Sequence, residues 1–422
     1  MGHVVSLAMP LQAKPRYRSL IRVDLQRFVT PAAFLFFLLV ACLGSRLHLA
    51  QTSQQTAASS FQPVVDGVEH LKLTRGYKSE NEATGPWVIN LLRVDPARVD
   101  LRIAHALDEG VGLETTSSIA ARAGAIAAVN AGFFRTTGTY RGEPTGVLAI
   151  DGKVMSEPLE GRAAFGLIAK PASTKIIFGH LKFSGFIESR RVIRRAIDGV
   201  NRPRGADELI VYTPEFHRTT LTTPDGIEAV VYRNRIIRIR DGGSSVIPAN
   251  GLVISAAGRA RDWVRANLQS GSRINIEIKL IPVENEMAEA WKRASFIVGA
   301  GPQLIKDARI ALTTEAEGIA ERFASDRHPR TAIAKLKDGR ILIATVDGRQ
   351  RGVSVGMTLA ELANLLLQFG AVDGINLDGG GSTTMVINGK LVNAPSDQTG
   401  ERAVSDALLI VERALHSKPR MH

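Results

Sequence analysis

Asn376-Leu377-Asp378-Gly379-Gly380-Gly381-Ser382-Thr383-Thr384 sets one acidic residue directly ahead of three glycines. Glycines admit positive φ and close backbone approach, so N–H groups can converge on an anion. Asp378, at the end of an apolar run, is placed to act as base, nucleophile or metal ligand. Gly379, Gly380, Gly381 and Ser382 form the candidate binding loop. An Asp-Gly turn with packing glycines is the plain alternative, but three glycines exceed what a turn needs. No GK[ST] follows, which excludes a Walker-type nucleotide loop. A second acid, Asp347, leaves another apolar run in Thr345-Val346-Asp347-Gly348-Arg349-Gln350. Alone it reads as a turn. Paired with Asp378 it supplies the two carboxylates used for hydrolysis at a sugar carbon, with retaining and inverting outcomes both open.

Three further groups could bind substrate. In Arg327-His328-Pro329-Arg330-Thr331, Arg330 begins a strand and offers a planar fork for phosphate or carboxylate, whereas His328 reads as a loop histidine. Asn130 ends an apolar strand before Gly132-Phe133-Phe134, where an amide can orient a sugar hydroxyl or acetamido group; a turn with two core aromatics explains it equally well. Arg190, Arg191, Arg194, Arg195, Arg202 and Arg204 form a basic stretch. A solvated charged face is the simpler reading, with Asn201 and Arg202 still able to reach a phosphorylated substrate. No cofactor is required. A divalent cation at Asp347 or Asp378 stays open, since the spacing of acids and histidines does not demand one.

These residues need strand ends to hold them. Ala125–Val129 reads as a strand ahead of Asn130, and Val147–Ile150 with Lys153–Met155 as a hairpin around Asp151-Gly152. Trp87–Val94, Val99–Ala106, Leu209–Thr213, Glu228–Tyr232, Arg235–Ile239 and Ile274–Ile281 read as further strands. Thr331–Leu336 and Ile341–Val346 pair around Lys337-Asp338-Gly339-Arg340. Thr116–Ala123 and Arg259–Leu268 read as helices. Thr358–Phe369 is an amphipathic helix with Thr358 as N-cap, Glu361 at the capping-box position and Gly370 as its stop. Val372–Leu377 then delivers Asp378. The remaining strands are Val386–Val392, a hairpin around Asn388-Gly389, and Ala407–Val411. The expected fold is α/β of the α+β type, with mixed, hairpin-rich sheets and a few flanking helices.

The chain has 422 residues, 45% of them hydrophobic and 22% charged, which excludes a disordered or collagen-like protein. Cys42 is the single cysteine, so neither a disulfide framework nor a Cys-ligated zinc site can form. No solenoid or propeller repeat is visible. The net charge of +12 favours anionic partners. No nucleic-acid-binding pattern accompanies it, so phosphate-bearing or membrane-associated substrates are expected and nucleic acid is not. A basic tail (1–27) precedes the apolar run Phe28–Gly44 (28–44), which reads as a signal peptide or signal anchor. Leu39-Val40-Ala41-Cys42 also has lipobox character. A Gln/Thr/Ser-rich linker (45–60) leads to one catalytic domain (61–415). The expected location is the bacterial periplasm or cell envelope, with membrane attachment through the N-terminal segment.

Taken in order, AVNAGFF from Ala128, PTGVLAIDGK from Pro144, RHPRTAIA from Arg327, TVDGRQ from Thr345, GMTLAELANLL from Gly356, NLDGGGSTTM from Asn376 and ERAVSDALLI from Glu401 resemble the phosphodiester glycosidase family. The likeness runs from Val68 to Val411. It implies hydrolysis of the C1–O bond between a sugar and a phosphodiester, with an N-acetylglucosamine-like phosphodiester or a related envelope or exopolysaccharide glycan as substrate. It makes Asp378 and Asp347 the catalytic carboxylates, Arg330 the phosphate contact, Gly379 to Ser382 the binding loop and Asn130 a sugar-site residue. Ala334 stands where glycine is expected after HPRTA-Ile. Two other readings are weighed against it: a non-catalytic glycan-binding or export-associated protein, and a metal-dependent phosphodiesterase that cuts P–O.

Overall fold

The computed structural model describes residues 60–77, 85–170, 172–189 and 192–413. The basic tail, the Phe28–Gly44 run, the linker up to residue 59, Arg190 and Arg191 lie outside the described residues. Contacts divide the chain into Met1–Ala58 and Ser59–His422. Among the described residues no helix is long and apolar enough to cross a membrane.

The largest sheet has eight strands in the order Gln62–Val65, Val68–Arg75, Trp87–Val94, Ile341–Val346, Arg330–Leu336, Ala371–Asn376, Gln303–Lys306 and Arg309–Ile310. Arg330 pairs with Val346, and Ala332 with Asn376, both antiparallel. The strands that deliver Asp347 and Asp378 therefore flank Arg330–Leu336 and release their aspartates at the same sheet edge. Their backbones stand two strand spacings apart, roughly 10 Å.

One face of this sheet carries the helix Leu359–Gln368, whose Leu359, Leu362, Ala363, Leu365 and Leu366 bury against Ala332, Ala334, Leu342 and Ala344. Its capping box forms as the sequence predicts: Glu361 N–H donates to Thr358 Oγ1 at 3.2 Å, and Thr358 N–H to Glu361 Oε2 at 2.9 Å. Leu92, Ile333, Ile343, Ile375 and Leu377 share the main core with Val129, Phe165, Leu167, Val298, Leu408 and Ile410 from two other sheets.

Those two sheets share one layout. One runs Lys390–Leu391, Met385–Ile387, Ala127–Asn130, Asp406–Glu412, Val99–His105; the other contains Lys153–Ser156, Leu148–Ile150, Phe296–Gly299, Ala163–Ala169, Thr174–Ser189. In each, a hairpin edge pairs with a central strand that ends in a Gly or Asn followed by Ala-Gly. Met385 faces Val129 as Leu148 faces Val298, and Ala407 faces Asn130 as Ala164 faces Gly299. The hairpin tips match too, with φ of 49° and 72° at Asn388-Gly389 and 51° and 75° at Asp151-Gly152. Ala131 N–H donates to Asp406 O at 3.2 Å, and Ala300 N–H to Ala163 O at 2.9 Å. The central strands are exchanged in chain order, each lying far from its hairpin in sequence, so the duplication is invisible to a linear repeat search. A fourth sheet, Gly199–Val200, Leu209–Tyr212, Gly251–Ala256, Ile227–Tyr232 and Arg235–Asp241, packs on the helix Gly258–Asn267.

The α+β reading holds, with mixed sheets and few helices. Ala163–Ala169 and Phe296–Gly299 escape the sequence reading because almost every residue in them is buried. A strand covered on both faces loses the polar–apolar alternation that marks strands in a sequence.

Candidate active site

Asp378 leaves the Ala371–Asn376 strand partly buried, with Oδ1 accepting from Gly379 N–H at 2.9 Å. Burial pushes its carboxyl up to about 6, against the pull of the Ser382 hydroxyl and the Gly379 N–H. The hydroxyl lies near the carboxylate without completing a hydrogen bond. Its backbone is tied to the neighbouring sheet: Asp378 N–H donates to Ala131 O at 3.0 Å, and Asn130 Nδ2 to Asp378 O at 2.6 Å. Asn130 also accepts from Thr331 Oγ1 at 2.8 Å and Thr384 N–H at 3.1 Å. The structure thus brings Asn130 to Asp378, but as the residue that fixes the aspartate's backbone, with its amide spent inside the protein.

The glycines are required by close packing more than by an open ring of donors. Gly379 N–H is taken by Asp378, Gly380 N–H by Pro329 O at 2.8 Å and Ser382 N–H by Gly379 O at 3.1 Å. A Cβ on Gly379 would stand 2.7 Å from Pro329 O. Gly380 has φ +61°, and its Cβ would come 3.0 Å from Arg349 Nη2. A Cβ on Gly381 would overlap the Asp397–Arg402 ion pair, itself closed at 2.7 Å. Gly381→Ala is accordingly expected to destabilise by about 1–3 kcal/mol through overpacking, read as a lowered Tm in thermal unfolding.

Asp347 reaches the same sheet edge, yet its carboxylate is only 2% exposed and engaged within the protein. Oδ1 accepts from Asn393 Nδ2 and Ala394 N–H, both at 3.1 Å. Burial raises its pKa while these donors lower it. Asn393 also donates to Thr383 O at 3.0 Å, so Asp347 anchors the segment next to the glycine loop.

Arg330 corrects an expectation. It is 1% exposed, and its guanidinium donates inward to the carbonyls of Met357 at 2.8 Å, Phe323 at 2.7 Å and Asp326 at 2.9 Å. It does not present a fork to a phosphate. Burial and then the charge of Arg349 push its pKa down to about 10. Arg349, which the sequence reading left out of the site, is exposed and lies over Gly380, with Nη2 3.5 Å from His328 Nδ1. Among the described residues it has no carboxylate partner. The sheet edge therefore carries two adjacent guanidinium charges, one buried and one open to solvent, with burial and both arginines lowering the pKa of His328.

Arg202 is a second correction. Its guanidinium is closed on Glu157 at 2.7 Å and Glu208 at 2.6 Å, and its carbonyl accepts from Tyr212 Oη. Arg204 pairs with Asp225, Arg194 stacks on Phe186, and Arg195 lies over Trp263. The described part of the basic stretch is a set of internally paired and stacked arginines and not the solvated face expected from the sequence.

Two carboxylates escaped the sequence reading. Asp406 is 1% exposed; its Oδ1 accepts from Gly132 N–H at 2.7 Å and its Oδ2 completes no hydrogen bond among the described residues. Burial raises its pKa, and its charge in turn raises that of Asp378. Glu143, buried and paired with Arg135 at 3.0 Å, is pushed up to about 7 by burial. Ser382 Oγ, Thr384 Oγ1 and Asn376 Oδ1 are likewise buried without partners, so unsatisfied polar atoms gather around Asp378. Among the described residues no group of three or more His, Cys, Asp or Glu side chains could hold a metal ion.

Residues 225–411, less than half of the chain, match the sequence model of the phosphodiester glycosidase family, which is the family that the motifs resemble. The bovine N-acetylglucosamine-1-phosphodiester alpha-N-acetylglucosaminidase is 33% identical over 160 residues, 37% of this chain and 29% of its own length. The matched segment thus spans under a third of that relative. A protein of Rickettsia conorii is 24% identical over 254 residues, 59% of this chain and 85% of its own length. Among solved structures, a hypothetical protein from Synechocystis superposes with a TM-score of 0.72 at 24% identity, covering 85% of this chain and 64% of its own. A candidate exported protein of Burkholderia pseudomallei gives 0.69 at 27% identity, covering 78% and 74%.

Proposed function

We propose that this protein is an exported glycoside hydrolase that cleaves the sugar C1–O bond of a glycosyl phosphodiester. The observation that carries the reading is Asp378, a raised carboxyl partly open at a sheet edge, on the same loop as Gly380, over which the exposed Arg349 guanidinium lies with no carboxylate partner among the described residues. Phosphate is already a good leaving group, so charge stabilisation matters more than full protonation. Arg349, in the positive field it shares with Arg330, takes that part. Asp378, ionised, either takes a proton from the water that bonds to the anomeric carbon or bonds to that carbon itself in a glycosyl ester that water then hydrolyses, while the C1–O bond breaks and the phosphomonoester departs with the electron pair. Gly380 is needed so that the guanidinium can lie this close to the carboxylate loop. Export is supported by the signal-like Phe28–Gly44 run and by the description of the Burkholderia neighbour.

The test is incubation of the full chain with an α-N-acetylglucosamine-1-phosphodiester in labelled water, with and without chelator. Free sugar carrying the label, plus phosphomonoester, is the expected result, unchanged by chelator because the scheme needs no metal. Label in the phosphate would assign a P–O phosphodiesterase instead. Saturable binding without product would assign a glycan-binding protein.

A further inference from the structure

The duplicated sheet layout gives the Asp378 region a counterpart. Superposing the two registers sets Ser382-Thr383-Thr384 onto Thr145-Gly146-Val147, Asn130-Ala131 onto Gly299-Ala300, and Asp406 onto Ala163. At that counterpart lies a cavity of about 130 Å³ lined by Phe133, Thr145, Leu159, Arg162, Ala163 and Ala300, among others. Where the first copy holds the buried carboxylate of Asp406, the second has an alanine preceded by Arg162.

Arg162 is half-buried and has neither an ion pair nor a side-chain hydrogen bond among the described residues. The acid beside it, Glu317, is held by the protein: Oε2 accepts from Ala163 N–H at 3.0 Å, and Oε1 from Gln303 N–H at 2.9 Å and from the Thr313 hydroxyl. Burial lowers the arginine's pKa against the opposing pull of the Glu317 charge, and a bound anion would add to that stabilisation. The remaining named walls are largely apolar. At about 30 Å³ per water, the cavity has room for roughly four waters, enough for a substituent and too little for a whole sugar ring.

The cavity adjoins the acidic loop. Phe133 follows Gly132, whose N–H meets Asp406, and Ala131 O accepts from Asp378 N–H. On the other wall, Ala300 leads into Gly301, which exchanges hydrogen bonds of 2.9 Å each way with Asn376, on the strand that delivers Asp378.

We propose that this cavity is a subsite for an anionic substituent, a carboxylate or a phosphate on the uncleaved part of the substrate, held by Arg162. This deepens the glycosyl phosphodiester reading and names its substrates as glycans that carry a second negative charge. The experiment titrates the full chain with glucuronate, glucose 6-phosphate and, as neutral control, glucose, followed by ligand-detected NMR. At least one anionic sugar should bind at least tenfold more tightly than glucose, and which of the two does so names the substituent. Measured in the Arg349→Gln background, which removes the proposed phosphate contact at the other site, Arg162→Gln should remove that preference and Arg162→Lys should restore part of it. Leu159→Trp, which narrows the cavity without touching the charge, should weaken the anionic probe with Tm unchanged, so the test stands even where Arg162→Gln folds poorly. Equal binding of all three sugars, no binding of either anion, or a preference that survives Arg162→Gln would overturn the inference. Hydrolysis of a phosphodiester by the wild type is scored separately, so failure of the parent reading is recognised on its own.

Discussion

Asp378→Asn is expected to abolish turnover, lowering kcat by at least about a thousandfold, while the protein stays folded. The asparagine keeps an Oδ1 for Gly379 N–H and removes a charge that burial disfavours. The sign of the stability effect follows from the direction of the shift. A carboxyl whose folded pKa, about 6, lies above its ordinary value binds a proton more readily in the folded state. Its contribution to stability is full below the ordinary carboxylate range and is lost as the pH rises through about 6. The neutral variant should therefore show a Tm at pH 7 equal to or above that of the wild type. The same titration shapes activity: with Asp378 working as the ionised form, kcat/KM should rise with pH through an apparent pKa near 6. A rate that falls above pH 6 would make Asp378 the acid, and full activity in Asp378→Asn would remove it from the chemistry.

The second large effect separates two arginines that look alike in the sequence. Arg330→Ala leaves three backbone carbonyls without their buried donor, and is expected to cost at least about 3 kcal/mol, with loss of soluble protein and a Tm lowered by several degrees. Arg349→Gln touches an exposed side chain without a carboxylate partner, and surface substitutions of that kind shift stability by no more than about 0.5 kcal/mol. It should nonetheless raise KM for a phosphodiester and lower kcat/KM at least about tenfold, since a guanidinium-to-phosphate contact is lost. Thermal unfolding and steady-state kinetics on the two variants, measured side by side, make the distinction. Equal Tm values with equal loss of activity would return the phosphate contact to Arg330.

Sequence alone determined the elements and the landmark. Thr358, Glu361 and Gly370 specify the helix over the large sheet, because capping is chemistry between residues a few positions apart. Asn388-Gly389 and Asp151-Gly152 specify two hairpins for the same reason. The apolar run ending in Asp378 and three glycines marks the acidic loop, since so many glycines after a strand serve close approach. What tertiary structure decided is which side chains face the site. Arg330 and Arg349 differ in role only because one lies beneath Met357, Phe323 and Asp326 and the other over Gly380, partners brought together by sheet pairing. Asp347 is enclosed because the segment holding Asn393 and Ala394 folds back onto it. Asp406 and Arg162 gave no local signal at all: each matters through its place in one of two matching sheets whose central strands are exchanged along the chain. Local hydrogen bonds and hairpin turns are encoded within a few residues, whereas burial and the pairing of charges are properties of contacts that exist only after those sheets have packed.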